Sequence, residues 1–215
     1  MTDLSGVQAS QLRVYLAELD RWNRRRNLTT VAPHDAWQRH VEESLRLLAV
    51  AAPEPGDTVV DVGSGAGVPG VVVAVARSDV SVQLLESDAH KQGFLVRVAG
   101  LLGLDNVRVV GCRAEAAGRD MALREHFDVA LSRAAAPPAV LCELALPLVR
   151  VGGRLCALVS DGVAAAAACA GAARLCGGGT PQAAAGVLVV PKTAPTPERY
   201  PRRAGVVARR PLRAE

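Results

Sequence analysis

The sequence has few aromatic residues, since Phe, Trp and Tyr together make up 3% of its 215 residues. Aliphatic residues and alanine must therefore form the core, and the length suffices for one domain with a full sheet-and-helix core. No apolar run reaches transmembrane length, and the amino end lacks a signal-peptide pattern. We therefore expect a cytoplasmic protein without membrane contact, and we expect it to be a monomer.

Metal-ligand patterns are also missing. The five cysteines form no Cys-x-x-Cys pair, and the four histidines are scattered along the chain. An odd number of cysteines without such spacing is typical of small buried side chains in a reducing compartment. We therefore predict neither a metal site nor a disulfide framework.

Net positive charge is missing from most of the chain and concentrated at its end. Residues 192–215 contain seven basic and two acidic residues, for a net charge of +5, whereas residues 1–191 have a net charge of −1. Such placement is typical of a segment that contacts a polyanion. We expect this segment to be irregular, and its basic residues are Lys192, Arg199, Arg202, Arg203, Arg209, Arg210 and Arg213.

Two helices are predicted before the first strand. Apolar residues at helical spacing predict one helix over about residues 4–26 and another over about residues 34–51. The first ends in Arg24, Arg25 and Arg26, for which a solvated helix end and phosphate contact remain alternatives. We predict a helical cap over residues 1–55, a nucleotide-binding domain over residues 56–191 and a basic tail over residues 192–215.

The most informative pattern spans residues 58–70. Residues 58–62 are rich in β-branched side chains, which predicts a buried strand, and four glycines follow within eight residues. Glycines so dense let the backbone turn sharply and approach a ligand without a Cβ in the way. Pro69 fixes φ at the first turn of the next helix. This pattern is typical of the nucleotide-binding turn of a doubly wound α/β domain.

The identity of the nucleotide depends on the residues around those glycines. Residues 65–70 match the G-x-G-x-x-G pattern, so NAD is one candidate. However, Asp61 would repel a pyrophosphate, and Pro69 lacks a backbone N–H that a pyrophosphate would use. S-adenosylmethionine carries cationic groups and no phosphate, which suits Asp61 and a close approach at Gly63 and Gly65. We predict S-adenosylmethionine and keep an NAD-dependent oxidoreductase as the alternative.

Strands and helices alternate after the glycine turn. Strands are predicted over residues 81–86, 107–111, 127–133, 154–159 and 186–190, with one helix ending at Gly103 and another over residues 139–149. Residues 164–173 are almost all alanine and glycine, and predict either a helix with little to pack or a flexible segment. The fold class is α/β, with a mostly parallel, doubly wound sheet.

Parallel strands place their carboxyl ends on one side of the sheet. Glu86, Glu115 and Arg133 follow or end such strands, so we expect them to join Asp61 around one crevice. A carboxylate at position 86 can accept hydrogen bonds from both hydroxyls of an adenosine ribose.

These residues together resemble a known family. The residues that carry the resemblance follow one another in the order found in that family. They are Asn27-Leu28-Thr29, Arg39-His40, residues 61–70, Glu86, Lys91, Phe94-Leu95, Arg113-Ala114-Glu115, Ser132-Arg133-Ala134 and residues 197–205. The chain resembles, over nearly its whole length, the small-subunit ribosomal RNA guanine-N7 methyltransferases, the glucose-inhibited-division protein B family. The resemblance implies a class I S-adenosylmethionine-dependent methyltransferase fold, which is Rossmann-like.

The resemblance also implies a substrate and a set of site residues. The substrate would be a guanine in a 16S rRNA loop near the decoding site, in free rRNA or in the small ribosomal subunit. The implied cofactor contacts are Gly63, Val68, Glu86, Ala114, Glu115 and Arg133. RNA contacts are expected from the basic residues at 24–26 and from Lys192, Arg199, Arg202, Arg203, Arg209 and Arg210.

One position departs from the family pattern. Where the family usually has Ala-Leu-Lys-Gly after the fifth strand, this chain has Val159 in place of the lysine. We expect the missing lysine to leave cofactor binding unaffected and to bear on the catalytic activity or on the affinity for the substrate.

The expected reaction is a direct in-line displacement. Guanine N7 has a free lone pair, so the enzyme needs positioning more than a general base, and Arg133 is the candidate catalytic residue. An S-adenosylmethionine enzyme acting on a small molecule and a non-catalytic RNA-binding module remain alternatives.

Overall fold

A seven-stranded sheet organises the chain in the computed structural model, which describes residues 4–133 and 135–212. The strand order is β3-β2-β1-β4-β5-β7-β6. The first five strands are parallel, and β7 runs antiparallel to both β5 and β6. The strands are β1 Thr58–Val62, β2 Ser81–Leu85, β3 Val107–Val110, β4 Phe127–Arg133, β5 Val149–Leu158, β6 Gln182–Ala184 and β7 Val187–Pro191. This topology confirms the predicted fold class.

The strand order reverses between β1 and β4, which lie side by side at the centre of the sheet. In open α/β sheets, ligands bind outside the carboxyl ends of the strands at such a switch point. The glycine turn follows β1 and Arg133 ends β4. The topology therefore places both at one crevice.

Helices cover both faces of the sheet. They are α1 Gly6–Arg26, α2 Glu43–Ala51, α3 Gly70–Ala76, α4 Ala89–Leu102, α5 Ala114–Ala117, α6 Pro138–Ala145, α7 Gly162–Leu175 and α8 Val206–Arg209. The first four bury aliphatic side chains against one face, and α6 and α7 bury theirs against the other. No helix within residues 4–133 and 135–212 is long and apolar enough to cross a membrane.

Local chemistry explains several helix ends. Ser5 and Gln8 form a capping box at the start of α1, each side chain bonding the other's backbone N–H. Asp88 caps α4, and Gly103 ends it in the left-handed conformation with φ of 64°. The bounds of α1 and the end of α4 at Gly103 agree with the prediction.

The predicted helix over residues 34–51 is composite. It begins as a 3₁₀ turn at Pro33–Asp35, continues as a π-helix at Trp37–Glu42 and becomes α-helical only in α2. The predicted helix over residues 139–149 was too long, because α6 ends at Ala145, a 3₁₀ turn follows at Leu146–Leu148 and Val149 already belongs to β5. Pro147 has no backbone N–H with which to extend α6.

The alanine-rich segment forms the helix α7, which lies against α6 and buries Ala165, Cys169, Ala172 and Ala173. Small side chains allow this close packing, so the segment is a core helix. Strand β6 was not predicted, since its three residues are all exposed and carry no apolar alternation.

The carboxyl-terminal segment packs against the domain through a buried lysine. Lys192 is 2% exposed, and its Nζ donates to the Leu146 carbonyl and to Thr196 Oγ1 and lies 3.1 Å from Glu125 Oε1. Burial lowers the pKa of Lys192. This burial contradicts the prediction of Lys192 as an RNA contact.

A second buried charge holds the same segment. Glu143 of α6 is fully buried, and its carboxylate accepts from the backbone N–H and the guanidinium of Arg202 at 2.6–2.9 Å. Arg124 adds hydrogen bonds to the carbonyls of Thr196 and Tyr200. We call residues 192–202 with Arg124, Glu125 and Glu143 the C-terminal clasp. The segment has little regular structure, as predicted, but its first half is an ordered part of the core.

Candidate active site

The turn after β1 is shaped by its glycines. Gly67 has φ of 89°, and a Cβ there would lie 2.6 Å from Val71 Cγ2. Gly70 begins α3 so close to the sheet that a Cβ would lie 2.7 Å from Asp61 Oδ2. A side chain at Gly70 would force the turn away from the strand, and one at Gly67 would force it away from α3. The turn therefore stays against the carboxyl end of β1 and leaves Gly63 exposed and Gly65 partly exposed.

Asp61 is buried beneath this turn. Its Oδ2 accepts a hydrogen bond from the Gly70 backbone N–H at 3.0 Å. Its Oδ1 is buried and has no hydrogen-bond partner in the described part of the chain. Burial raises the pKa of Asp61 to about 7, against the opposing effects of the Gly70 hydrogen bond and the Arg133 charge.

This geometry bears on which ligand the turn accepts. Pro69 has no N–H, and the Asp61 carboxylate already takes the N–H of Gly70, the first residue of α3. A pyrophosphate would meet a carboxylate where a dinucleotide site offers free donors. An orphaned buried carboxylate oxygen instead suits a ligand that brings a cation. The residues present fit S-adenosylmethionine better than NAD.

Glu86, directly after β2, supports the turn. Its Oε2 accepts from the Gly65 N–H and its Oε1 from the Asp88 N–H, both at 2.8 Å. The side chain is 7% exposed. Each carboxylate oxygen has a second lone pair, so the group can accept ribose hydroxyls while it holds the loop.

The other predicted cofactor contacts lie around the same sheet edge. Ala114 and Glu115 form the first turn of α5 after β3, and both are partly buried. Val68 is buried in the apolar core beside the turn, so its side chain packs inward. We therefore expect any contact of Val68 with a cofactor to come from its backbone.

Arg133 ends β4 and reaches toward the π-helix. Its guanidinium donates to the Arg39 carbonyl, lies 3.0 Å from His40 Nδ1, and stands 3.6 Å from a carboxylate oxygen of Glu43. Burial lowers the pKa of Arg133, but a guanidinium remains charged in proteins. Arg133 is thus a fixed, half-buried cation at the switch point.

His40 is fully buried beside it. Burial lowers the pKa of His40 to about 4, and the charges of Arg133 and Arg39 add to this effect, so the ring is neutral at neutral pH. Its Nε2 lies 3.3 Å from Thr29 Oγ1. Sequence reasoning placed Arg39-His40 in the family pattern without giving His40 a role.

A large open cavity lies beside Arg133, at the carboxyl ends of β4 and β5. Its volume is about 860 Å³, and one wall includes Arg133, Arg39, Glu43 and Arg46. Val159, which stands where the family usually has a lysine, also lines this cavity. The remaining lining residues are Asn27, Leu28, Thr29, Thr30, Val31, Leu158, Ser160, Ala185 and Gly186.

Tyr15 connects α1 to the glycine turn and was missed by sequence reasoning. It is fully buried, and its hydroxyl donates to the Ala66 carbonyl at 2.7 Å. Burial raises its pKa. The apolar residues at helical spacing in α1 include Leu12 and Leu19. Tyr15 stands three positions after Leu12 on the same helix face, and this spacing could have predicted that it is buried.

The arginines at 24–26 lie exposed in the last turn of α1. Arg25 and Arg26 line a second cavity, of about 520 Å³, together with Arg21, Trp22, Ala89, His90 and Gly93. Arg24 forms an exposed ion pair with Asp20. Residues 27–31, which follow directly, line the larger cavity, so the two cavities adjoin at the end of α1.

The structure therefore brings some predicted residues together and separates others. Asp61, Gly65, Glu86 and Arg133 meet at one crevice, where Arg133 and Glu86 both influence the pKa of Asp61. Lys192 and Arg202 lie in the C-terminal clasp. Arg199, Arg203, Arg209 and Arg210 are exposed, whereas Ala134 and Arg213 lie outside the described residues.

The chain is similar to known proteins over most of its length. The family model described as rRNA small subunit methyltransferase G matches residues 8–176. The chain is 37% identical to "Ribosomal RNA small subunit methyltransferase G" of Moorella thermoacetica, over 97% of this chain and 92% of the relative. It is 39% identical to the protein of that name from Roseiflexus castenholzii, over 95% and 92%. Among solved structures, a geranyl diphosphate methyltransferase in complex with SAM is 24% identical over 54% of this chain and 48% of that chain, with a TM-score of 0.45.

Proposed function

Because the chain belongs to the rRNA small subunit methyltransferase G family, we propose that it methylates N7 of a guanine in a 16S rRNA loop near the decoding site. The methyl donor is S-adenosylmethionine. The observation that carries the proposal is the position of the orphaned Asp61 carboxylate and of Arg133 at the switch point, next to a cavity of about 860 Å³. One ligand can lie over the glycine turn while a splayed base enters the cavity.

The cofactor would be held by residues 56–191. We propose that Asp61 faces its cationic end, that the backbone at Gly63, Gly65 and Val68 lies against it, and that Glu86 accepts its ribose hydroxyls. Ala114 and Glu115 would border the adenine, because they stand at the end of β3 beside β2. Arg133 would lie where the cofactor site meets the cavity, because it ends β4 and lines the cavity wall.

The bound cofactor supplies an electrophilic methyl group on a sulfonium. The chain's residues must then hold guanine N7 in line with the carbon–sulfur bond, so that the N7 lone pair forms the new bond and the sulfur keeps the old bonding pair. Because N7 has no proton to lose, no general base is required. His40 is neutral at neutral pH and contacts Arg133, so it is not placed to remove a proton from the base.

RNA contact would begin near the cavity. Recognition of a splayed base also requires contacts to flanking phosphates. The arginines at 24–26 are exposed where the two cavities adjoin, and we propose that they bind those phosphates. The exposed Arg199, Arg203, Arg209 and Arg210 belong to the segment that packs on the opposite face of the sheet, where we propose peripheral RNA contacts.

We further propose that the protein acts as a monomer in the cytoplasm, with the small subunit or its rRNA as partner. The family description, which names the small-subunit rRNA, supports this partner.

The test is to supply small subunits with labelled S-adenosylmethionine and map the modified nucleotide. N7-methylguanine carries a fixed positive charge and becomes labile to reduction and aniline, so the rRNA should break at one loop position only after incubation with enzyme and cofactor. At saturating cofactor, the rate of the chemical step should stay nearly flat between about pH 6 and 9, because no base titrates. Methyl incorporation without aniline cleavage would place the methyl group on another atom, and titration showing NAD rather than S-adenosylmethionine binding would contradict the proposal.

A further inference from the structure

His40 is buried although its segment lines a wide cavity, and its two ring nitrogens have different partners. Nδ1 lies 3.0 Å from the Arg133 guanidinium, and Nε2 lies 3.3 Å from Thr29 Oγ1. The residue has no contact to the glycine turn among its hydrogen bonds, and the mechanism above does not use it. Its surroundings nevertheless define what the ring can do.

The partner on Nδ1 fixes the tautomer. A guanidinium can only donate, so the Nδ1 atom beside Arg133 must accept, and the ring proton must be on Nε2. The Nε2–H then donates to Thr29 Oγ1. The charged groups that face the ring are Arg133 and Arg39, both cations, and they oppose a second proton on it. The neutral Nε2–H form is therefore the state that satisfies both contacts.

The π-helix and the first residue of α2 give Arg133 two more acceptors. The Arg39 carbonyl accepts from Nη1, and the Glu43 carboxylate lies 3.6 Å away. The π-helix and Glu43, which follows it, thus present three acceptors to the single guanidinium of Arg133 at the end of β4. A π-helical turn places its carbonyls differently from an α-helical one and is often found at functional sites.

We propose that His40 is a positioning residue, which through its Nδ1 lone pair holds the Arg133 guanidinium at the cavity wall. The remaining N–H groups of Arg133 then point at an oxygen acceptor of the target nucleotide. This inference rests on the proposed function and extends it, because it assigns the orientation of Arg133 to a residue that does not itself touch cofactor or base.

Two substitutions of similar size separate this role from simple packing. In His40→Asn the amide oxygen can stand at the position of Nδ1 and still accept from Arg133. In His40→Gln the amide reaches the position of Nε2 and can satisfy Thr29, but it leaves Arg133 without that acceptor. We expect His40→Asn to keep kcat/KM for small subunits within about threefold of wild type and His40→Gln to lower it by about tenfold or more. Both variants should melt at similar temperatures.

A double-mutant cycle tests whether His40 acts through Arg133. In an Arg133→Ala background, His40→Gln should add no further loss of kcat/KM. Equal losses in the Asn and Gln variants, or a full additional loss in the Arg133→Ala background, would overturn the inference. Absence of methylation by the wild-type enzyme would instead contradict the proposed function.

The tautomer of His40 can also be measured on the wild-type protein, so that this test does not depend on the folding of a variant. The ¹⁵N shifts of the His40 ring at neutral pH should show an unprotonated Nδ1 and a protonated Nε2. The opposite tautomer, or a doubly protonated ring, would overturn the inference.

Discussion

The C-terminal clasp and the crevice at the switch point both bury ionisable side chains, but the crevice leaves one carboxylate oxygen of Asp61 without a partner among the described residues. In the clasp, Lys192 and Glu143 are almost completely buried; Lys192 contacts three partners, and Glu143 accepts three hydrogen bonds from Arg202. In the crevice, Asp61 is equally buried and one of its oxygens has no partner among the described residues. Fully satisfied buried charges specify a fold, whereas an orphaned one costs stability.

This difference separates structural charge from charge available to a ligand. The sequence alone does not distinguish the two kinds of charge, because Lys192 and Arg25 contribute equally to the number of basic residues. The hydrogen-bond and ion-pair partners of a charged side chain decide whether it is structural or available to a ligand. The predictions below either break the clasp, which should alter stability alone, or alter the crevice, which should alter ligand binding.

The largest effect is expected when the clasp loses Glu143. Glu143→Leu would leave the Arg202 guanidinium and backbone N–H without their acceptor, and it should lower the free energy of unfolding by about 3 kcal/mol. Urea denaturation measures the loss, and calorimetric titration should show an unchanged affinity for S-adenosylmethionine. Glu198→Leu, at an exposed carboxylate of the same segment, is the matched control and should be nearly neutral. Equal stability of the two variants would contradict a structural role for the clasp.

Replacing Asp61 in the crevice by a neutral residue should raise the free energy of unfolding, whereas breaking the clasp should lower it. The pKa of Asp61 is about 7 in the folded chain and near 3.8 when unfolded, so the folded state binds the extra proton between these values and loses stability as the pH rises from 4 to 7. Asp61→Asn should therefore raise the free energy of unfolding by about 2 kcal/mol at pH 8, and the gain should shrink as the pH falls toward 4. Urea denaturation across that range tests the sign. A variant that is less stable than wild type at pH 8 would show that Asp61 is satisfied by groups other than a ligand.

Glu86 should show a smaller effect, measured on cofactor binding. Glu86→Ala removes the acceptor for Gly65 and for the ribose hydroxyls, and it should weaken S-adenosylmethionine binding by about 1–2 kcal/mol. Titration calorimetry measures the change, again beside Glu198→Leu. An unchanged affinity would remove Glu86 from the site.

The smallest effects concern RNA. Replacing Arg25 and Arg26 by alanine should reduce the slope of log affinity for rRNA against log salt concentration by about 1 to 2, because two phosphate contacts are lost. The pair Arg209 and Arg210 is the matched control on the other face of the sheet, and we expect a smaller change there. A slope that falls only for the Arg209 and Arg210 pair would place the RNA on the face opposite the cavity.

The sequence predicted the sheet well because its signals are local. The strand at 127–133 was predicted to the residue, and Gly103 marked the end of α4. The exceptions have physical causes. Val149 was assigned to a helix because the apolar run continues through it, and β6 has no apolar pattern because neither face of it is buried.

The site was predictable in outline but not in its contacts. Topology alone brings Asp61, Glu86 and Arg133 to one edge of the sheet. The buried state of Lys192 depends on Glu125, which lies 67 positions earlier, and no local pattern reports such a pairing. The same is true of the contact between Arg133 and His40, which are 93 positions apart.

The central claim is that the Asp61 carboxylate is held without a full set of partners so that it can meet the cation of the cofactor. A bound cation should lower the pKa of Asp61 from about 7, so S-adenosylmethionine binding near pH 7 should release a fraction of a proton from it. Calorimetric titration in buffers of different ionisation enthalpy measures this release. We predict that wild type releases more protons than Asp61→Asn at pH 7 and that the difference disappears near pH 9. Equal proton release by the two proteins at pH 7 would contradict the claim.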